Sequence, residues 1–600
     1  MSAPASRPAS DRRRAPPGLF GAKSGERPGR RSARNERLLT VALPAWRSKL
    51  LLFALFCAFG ALSVRAVYLQ GGGITGFLEV QGEKRFAHTQ PEAPTRGTIY
   101  DRNGVVLAAS VPAISIWANP EEFDADARQR NQLAHLLGIS GEELRRKLGN
   151  EDHSFVYLAR QLEPELAQRV EALKIAGVHS LKEFRRQYPE GPVTAHLLGF
   201  TNIGEQGLEG VERSYEKTLG GQPGLRHIIE DRLGHTIEDD WLRTPVPGQD
   251  LVVAIDDRIQ YIAHEAAKQA AETNNARAAS AVVLDVQTGE LLALANWPDF
   301  DPAHRAQMEP GKIRDRAVTD TFEPGSTLKP FSIATAIESG LVRPQTVIDT
   351  SPGHLTIGGR TINDDHPHGA LTVEQVVAKS SNVGTAKIAL QLPAQALWDT
   401  LTAAGFGQVS QSGLSGAVTG RLRPASTWRP VEQATIAYGY GISVSLLQLA
   451  HAYLIFARDG DIVPVSVLRM QSPAAPVQVL RPETAATMRH MLEMATSDEG
   501  TAPAARIRGY RVGGKTGTAR KLRDGRYTDT YVSSFVGLAP VSHPRVVIAV
   551  MIDEPRGGRF YGGDVAAPAF AAIAAGTLRS LQVPPDAAPV QFAQAAAPGG

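Results

Sequence analysis

Cysteine is almost absent from this chain of 600 residues, in which Cys57 is the only one. A single thiol excludes an internal disulfide framework and a metal site built from cysteines. Net charge is also scarce: the total is +3, although the first 49 residues hold twelve Lys and Arg against three acids. The rest of the chain is therefore slightly acidic, which argues against a nucleic-acid-binding role.

An internal repeat is also lacking, and only one apolar run indicates a membrane span. Residues 50–64 carry no charge, lie between basic residues, and continue past Arg65 to residue 70. With Arg65 extended toward the membrane surface, about 20 residues suffice to cross a bilayer. We predict a transmembrane helix at 50–70, with a cleaved signal peptide or a buried core helix as the alternatives. Because the basic residues precede it, the N terminus is expected in the cytoplasm and the remainder outside.

The composition predicts a folded protein of two or three domains, since 42% of residues are hydrophobic and 21% are charged. Residues 1–49 lack apolar periodicity and are predicted to be a disordered basic cytoplasmic tail. Residues 71–248 mix short strand-like runs with charged helical runs, which predicts an extended α+β module. A Pro/Gly break follows, and Leu251–Ile255 is predicted as a buried strand that opens the next domain.

That next domain, residues 249–580, has strand patterns at both ends and helical patterns between them. Residues 257–274 have helical spacing, and two apolar runs at 281–295 indicate a hairpin. Residues 531–538 and 546–552 are two further strand candidates. The order predicts an α+β fold in which one antiparallel sheet is flanked by helices. Residues 581–600 are predicted to be a flexible tail.

The first chemical pattern is Ser326-Thr-Leu-Lys329. A helix that starts at about Ser326, with Pro330 in its first turn, would place Ser326 and Lys329 on one face. A serine hydroxyl needs a base before it can attack a carbonyl, and Lys329 could be that base if desolvation or a second cation such as Lys515 kept it neutral. The alternative is a chance pattern on an exposed helix.

The second pattern is Ser380-Ser-Asn382, at a break between two apolar helical runs. Such a turn can place Ser380 and Asn382 in a cleft. A hydroxyl there can pass a proton to a leaving amine, and an amide can bind a peptide backbone. The alternative is a cluster that caps the following helix.

The third pattern is Lys515-Thr516-Gly517-Thr518, predicted as a strand whose glycine admits another backbone. At a sheet edge, this strand could pair with an extended peptide. Its lysine and two hydroxyls would hold a carboxylate, and the backbone N–H groups of Ser326 and Thr518 would form an oxyanion hole. The alternative is an ordinary strand with a surface lysine. In this order, the three patterns together indicate an acylating serine site.

Two other patterns are interpreted as nonfunctional. Asp364-Asp-His-Pro-His368 has metal-ligand residue types but is too short and isolated, so we expect a polar loop and no metal. Residues 151–155 resemble the start of a glycosyltransferase signature, but Leu158 and Arg160 replace its His and Gly. We therefore expect no glycan polymerase activity in this chain.

With these residues in place, the chain resembles the class B penicillin-binding proteins, and within them the division-specific septal transpeptidases of the FtsI family. The resemblance covers residues 50–580. The motifs that carry it are Arg96–Ala108, Arg186–Pro189, Gly207–Glu212, Phe322–Pro330, Lys379–Gly384, Tyr438–Gly441 and Tyr561–Gly563.

The resemblance implies a D,D-transpeptidase that crosslinks peptidoglycan stem peptides. Ser326 would attack the penultimate D-alanine of a stem pentapeptide, release the terminal D-alanine, and pass the acyl group to an amine on a neighbouring stem. Penicillins would acylate the same serine. The implied roles of the other residues are Lys329 as base, Ser380 as proton shuttle, Asn382 as a ligand of substrate and of Lys329, and Lys515, Thr516 and Thr518 as the carboxylate site.

The resemblance also implies a single-pass protein of the inner membrane with its catalytic domain in the periplasm and no cofactor. Expected partners are a polymerase of lipid-linked precursors and other division proteins, contacted through the membrane helix and the proximal module. Three alternatives stay open: a lateral-wall transpeptidase, a carboxypeptidase or β-lactamase of the same superfamily, and a noncatalytic division scaffold or β-lactam sensor.

Overall fold

The computed structural model describes residues 45–70, 87–149, 154–230, 236–304 and 308–587. Outside these ranges lie most of the predicted cytoplasmic tail, residues 151–153 of the rejected glycosyltransferase signature, and residues 588–600. The chain divides into two units, residues 1–87 and 88–600, which are described separately.

The first unit contains one long helix, α1 (Ala45–Gln70). Its apolar part, Ala45–Tyr68, has 24 residues with a mean hydropathy of 2.2, and none of it is buried. At about 1.5 Å per residue it is long enough to cross a bilayer. The helix starts five residues before the predicted span, so the prediction of disorder is wrong for residues 45–49. Extending a helix costs little once it has formed, which explains the difference.

The second unit begins with the proximal module, residues 88–253, whose first strand starts one residue earlier, at Ala87. Its elements in chain order are β1 (Ala87–Glu92), β2 (Ile99–Tyr100), β3 (Val106–Ala118), α2 (Ala127–Leu137), α3 (Gly141–Leu148), β4 (Val156–Leu162), α4 (Pro164–Glu171), β5 (Val178–Gln187), α5 (Ala195–Leu198), α6 (Gly210–Ser214), α7 (Glu216–Leu219), β6 (Gly224–Glu230), β7 (Thr236–Arg243) and β8 (Leu251–Val252).

The long strand β3 organises this module. It pairs antiparallel with β5 along Ala109–Ala118 and with β4 near its end, while the order β4-β3-β2-β8 completes the sheet. Leu133 and Leu137 of α2 pack into the apolar cluster beneath this sheet. The expectation that Leu251 opens the next domain is wrong, because β8 pairs in parallel with β2. A short apolar run contains no information about its partner strand.

A buried ion network joins three separate segments of the proximal module. The guanidinium Nε atoms of Arg96 and Arg186 each lie 2.7 Å from a different carboxylate oxygen of Glu212. At most 2% of any of these three side chains is exposed. Each of these three residues comes from a different one of the three proximal sequence motifs. The three motifs therefore meet at one buried joint, formed by Arg96, Arg186 and Glu212.

The C-terminal module follows from residue 254. Its elements are α8 (Asp257–Thr273), β9 (Ala278–Asp285), β10 (Leu291–Trp297), α9 (Arg316–Thr319), α10 (Lys329–Glu338), β11 (Val347–Asp349), β12 (His354–Ile357), β13 (Arg360–Asn363), β14 (Ala370–Thr372), α11 (Val373–Ala378), α12 (Asn382–Ala389), α13 (Ala394–Ala403), α14 (Pro430–Ala437), α15 (Leu446–Ala457), β15 (Asp461–Ile462), β16 (Val477–Gln478), α16 (Pro482–Met494), β17 (Gly513–Arg523), β18 (Arg526–Ala539), β19 (Val546–Asp553), α17 (Gly562–Val565) and α18 (Ala567–Ser580).

Its main sheet has the strand order β10-β9-β19-β18-β17, and every neighbouring pair is antiparallel. All eight residues of β9 and of β19 are buried, because helices cover both faces of the sheet. Helices α8 and α18 pack on one face and α15 on the other. The predicted helix at 257–274, the hairpin, the two late strands and the helical insertion are confirmed. Among the described strands, β17 forms one edge.

The segment after α18 is ordered against the C-terminal module. Tyr510 donates a hydrogen bond of 2.6 Å to the Val583 carbonyl. The Asp586 carboxylate accepts the backbone N–H groups of Arg511 at 2.7 Å and Ser542 at 3.1 Å. The predicted flexible tail is therefore wrong for residues 581–587, because a Pro/Ala-rich composition does not reveal that one carboxylate holds two backbone donors.

Replacing Glu212 by Gln tests the buried joint. Gln leaves buried Arg186 without a counter-charge and leaves Arg96 with only the partly exposed Glu216, 2.8 Å away, so we expect a loss of about 3–5 kcal/mol of stability and a lower midpoint of thermal unfolding. Glu171→Gln, at an exposed position of α4, is the matched control, with an expected change of about 0.5 kcal/mol or less. Equal midpoints for Glu212→Gln and the unmodified chain would show that the network does not stabilise the module.

Candidate active site

Ser326 lies in a 3-10 turn, Gly325–Leu328, directly before α10. The predicted helix therefore begins three residues late, at Lys329, with Pro330 in its first turn as expected. The turn is held from below, where Tyr453 donates a hydrogen bond of 2.7 Å to the Thr327 carbonyl. Ser326 itself is half-buried and lines a cavity.

Two glycines allow other backbones to approach this turn. A Cβ on Gly439 would lie 2.0 Å from the Gly325 carbonyl oxygen, and Gly439 has a φ of +92° that favours glycine. A Cβ on Gly517 would lie 2.7 Å from the Pro324 carbonyl oxygen. Gly517 thus lets β17 contact the Ser326 turn, which confirms the predicted close approach of a backbone at this strand.

Lys329 is fully buried. Its ammonium group donates hydrogen bonds to the Ser380 carbonyl and, at 3.1 Å, to the Ser380 hydroxyl. No carboxylate among the described residues forms an ion pair with it. Burial lowers the pKa of Lys329 to about 7, against the opposing charges of Asp364 and Asp365. The exposed-helix alternative is therefore wrong for this residue, and its amine can be neutral near neutral pH.

Residues 380–382 form the turn between α11 and α12. Ser380 has a φ of +62°, which is strained for a residue with a side chain. Ser381 caps α12 by accepting the Gly384 N–H at 2.9 Å, so the capping alternative is right for Ser381, while Ser380 and Asn382 line the cavity. The Asn382 amide donates to the Asn363 carbonyl at 2.7 Å, whereas the implied contact with Lys329 is not among its described hydrogen bonds.

Asp364 holds this turn in place and was not recognised as a site residue from the sequence. One carboxylate oxygen accepts the Ser381 hydroxyl at 2.7 Å, and the other accepts the Val383 N–H at 2.9 Å. The sequence shows only a polar loop here, with no sign that it folds back on a turn 16 residues later. Its neighbours Asp365, His366 and His368 line the cavity.

Lys515 on β17 is also fully buried, so the surface-lysine alternative is wrong. Burial and the positive charge of Lys329 both lower the pKa of Lys515. Its ammonium group lies 3.2 Å from the Thr516 hydroxyl. The Thr516 hydroxyl is 3.1 Å from that of Thr501, a second residue that the sequence did not reveal. The Thr518 hydroxyl accepts the Gly562 N–H at 3.0 Å.

One cavity of about 670 Å³ collects the predicted residues. Ser326, Ser380, Asn382, Thr516 and Thr518 line it, while the two lysines lie buried beside it. The arrangement combines an accessible hydroxyl, a buried amine hydrogen-bonded to a second hydroxyl, and an edge strand with a second buried lysine. These are the components required for acyl transfer through a serine ester.

Comparison with known families agrees with this geometry. The model of the penicillin-binding protein transpeptidase domain matches residues 279–575, and that of the penicillin-binding protein dimerisation domain matches residues 91–253. The dimerisation-domain match includes β8, which agrees with the pairing of β8 with β2 of the proximal module.

Several known proteins are similar over most of the chain. Peptidoglycan D,D-transpeptidase FtsI of Escherichia coli K12 is 40% identical over 550 residues, which covers 90% of this chain and 93% of that protein. The probable peptidoglycan D,D-transpeptidase PenA of Neisseria meningitidis is 40% identical over 546 residues, with the same two coverages of 90% and 93%.

Solved structures are similar as well. The transpeptidase domain of penicillin-binding protein 3 from Burkholderia pseudomallei is 45% identical, with a TM-score of 0.52, and covers 56% of this chain and 98% of that one. Penicillin-binding protein 3 from Mycobacterium tuberculosis, complexed with ampicillin, is 28% identical, with a TM-score of 0.65, and covers 84% of this chain and 98% of that one. By this similarity and by its two matched domains, the chain belongs to the class B penicillin-binding proteins.

Proposed function

We propose that this protein is a septal peptidoglycan D,D-transpeptidase that crosslinks stem peptides through an ester on Ser326. One observation carries the proposal: a buried lysine without a carboxylate partner, Lys329, donates to a hydroxyl in the same cavity that holds Ser326. A neutral amine in this place can take a proton from a serine. The similarity to the FtsI relative supports the septal assignment.

In the first step, neutral Lys329 takes the Ser326 proton while Ser326 Oγ bonds to the penultimate D-alanine carbonyl carbon. The backbone N–H groups of Ser326 and Thr518 stabilise the oxyanion. The intermediate expels the terminal D-alanine, whose amine receives the proton from Lys329 through the Ser380 hydroxyl, 3.1 Å away. The products are an ester on Ser326 and free D-alanine.

Strand β17 and the turn at Asn382 would position the substrate. Because β17 lies at the sheet edge, an extended peptide can add to it as another strand. Lys515, Thr516 and Thr518 surround the proposed position of the terminal carboxylate. The negative charge of that carboxylate would raise the lowered pKa of buried Lys515 and so favour its ammonium form. Asn382 would bind the substrate backbone from the opposite wall.

The energetics of the site oppose a noncatalytic scaffold. Two unpaired buried amines are costly to the folded state, and a protein without turnover would gain stability by replacing them. A β-lactamase would need a positioned base for hydrolysis of the ester. A lateral-wall transpeptidase shares all of this chemistry, so cell biology must separate it from the septal enzyme.

The membrane setting is part of the proposal. Helix α1 would cross the inner membrane once, with the basic residues before it in the cytoplasm and the two modules in the periplasm. A polymerase of lipid-linked precursors and other division proteins would contact α1 and the proximal module. β-Lactams would bind covalently at Ser326.

Incubation with a penicillin tests Ser326. The unmodified chain should gain the mass of one penicillin, because the strained ring opens without losing a group, and Ser326→Ala should gain none. Ser339→Ala, at an exposed hydroxyl beyond α10, is the matched control and should be acylated fully. Intact-mass spectrometry reads the result. A Ser326→Ala protein that is still acylated would refute the assignment of the nucleophile.

The pH dependence of penicillin acylation tests Lys329. The neutral amine is the active form, so the rate should rise tenfold per pH unit below about 7 and level off above it. Lys329→Arg, which stays charged, should slow acylation by on the order of 10²- to 10⁴-fold. Lys387→Arg is the control and should react normally. A rate that climbs steadily to pH 10 would contradict a neutral Lys329.

The place of action can be tested in cells. A fluorescent protein that matures only in the cytoplasm, fused to the N terminus, should give a bright band at midcell. Depletion of the protein should give filaments, because septa fail while side walls still grow. Rounded cells with label along the side wall would favour the lateral-wall alternative, and a dark fusion would contradict the proposed topology.

A further inference from the structure

Asp365 is an exposed carboxylate on the wall of the cavity that contains Ser326. Among the described residues it forms no hydrogen bond and no ion pair. None of the steps that form the ester uses it. A carboxylate in such a place can receive a cationic ligand without losing an existing partner.

The backbone beside Asp365 is fixed rather than free. The preceding residue, Asp364, is tied to the 380–382 turn by the hydrogen bonds of 2.7 and 2.9 Å to Ser381 and Val383. One residue earlier, the Asn363 carbonyl accepts the Asn382 amide at 2.7 Å. Asp365 is therefore presented at the cavity by the same contacts that position Ser380 and Asn382.

The charge of Asp365 acts across the whole cavity. Burial lowers the pKa values of Lys329 and Lys515, and the negative charge of Asp365 opposes both shifts. On another wall, burial raises the pKa of Tyr561, and Asp365 adds to that shift. The negative charge of Asp365 would therefore attract an ammonium group that enters this cavity.

We propose that Asp365 binds the ammonium group of the acceptor stem and holds its nitrogen beside the ester on Ser326. The proposal rests on the proposed function, since it concerns the second half of that reaction. The acceptor nucleophile is an amine that is mostly protonated at neutral pH, and a carboxylate favours its arrival over that of water.

The transfer step balances as follows. The bound ammonium first loses one proton to solvent. The neutral amine then attacks the ester carbonyl carbon, a C–N bond forms, and the C–O bond to Ser326 breaks. The second proton of the nitrogen passes through Lys329 to Ser326 Oγ, which restores the hydroxyl and leaves an amide crosslink.

Partition of the acyl-enzyme tests the proposal. The full chain in detergent is acylated with a thioester donor and offered D-alaninamide, a cationic acceptor, or hydroxylamine, which is uncharged at pH 7.5. For Asp365→Asn, the concentration of D-alaninamide that captures half of the acyl groups should rise about fivefold, because one attractive charge is lost. Capture by hydroxylamine should stay unchanged.

Controls separate this proposal from the proposed function. Penicillin acylation needs no acceptor, so the Asp365→Asn protein should still be acylated; failure of the unmodified chain to be acylated would refute the function itself. Asp365→Glu should keep D-alaninamide capture, and Asp459→Asn, a distant exposed acid, should not alter it. Equal loss with both acceptors, no loss with either, or loss of penicillin acylation in Asp365→Asn would overturn the role of Asp365.

Discussion

The active site depends on the burial of two lysine amines that have no carboxylate partner among the described residues. Lys329 and Lys515 are both fully buried, and the positive charge of Lys329 lowers the pKa of Lys515. A buried ammonium without a counter-ion is unstable, so the site favours a neutral amine or an arriving anion. The proposed base and the proposed carboxylate site follow from this single constraint.

The surrounding structure can be understood as the means of keeping these amines buried and correctly placed. Gly517 and Gly439 let two other backbones close over the Ser326 turn, and Tyr453 supports that turn from beneath. Ser380 adopts a strained conformation that places its hydroxyl on the Lys329 amine, and Asp364 holds the turn. Strain at such a position persists only where neighbouring contacts outweigh it.

Much of the fold could be predicted because it depends on local patterns. The spacing of apolar residues predicted α8 and the late strands, and the apolar run at 50–64 predicted α1. The order of three weak patterns was enough to predict that Ser326, Lys329 and Lys515 belong to one site. Burial of both lysines was not predictable, since each alone is compatible with a surface position.

What the sequence did not reveal depends on contacts between distant segments. The partner of β8, the order in residues 581–587 and the part played by Asp364 all come from bonds to residues far along the chain. Arg96, Arg186 and Glu212 show the same limit, because three motifs were visible but their common buried joint was not. Local sequence patterns predict individual helices and strands, whereas the active site is formed by contacts between helices, strands and turns that are distant in the sequence.

The most direct test is a titration of the Lys329 amine itself. Lysine labelled with ¹³C at Cε can be followed by NMR from pH 5 to pH 11, with Lys329→Arg used to assign the signal. A midpoint near the pKa of about 7 is expected from burial without a counter-ion. A midpoint near the ordinary value of 10.5 would show that Lys329 is a stable cation at neutral pH and would contradict its proposed role as the base.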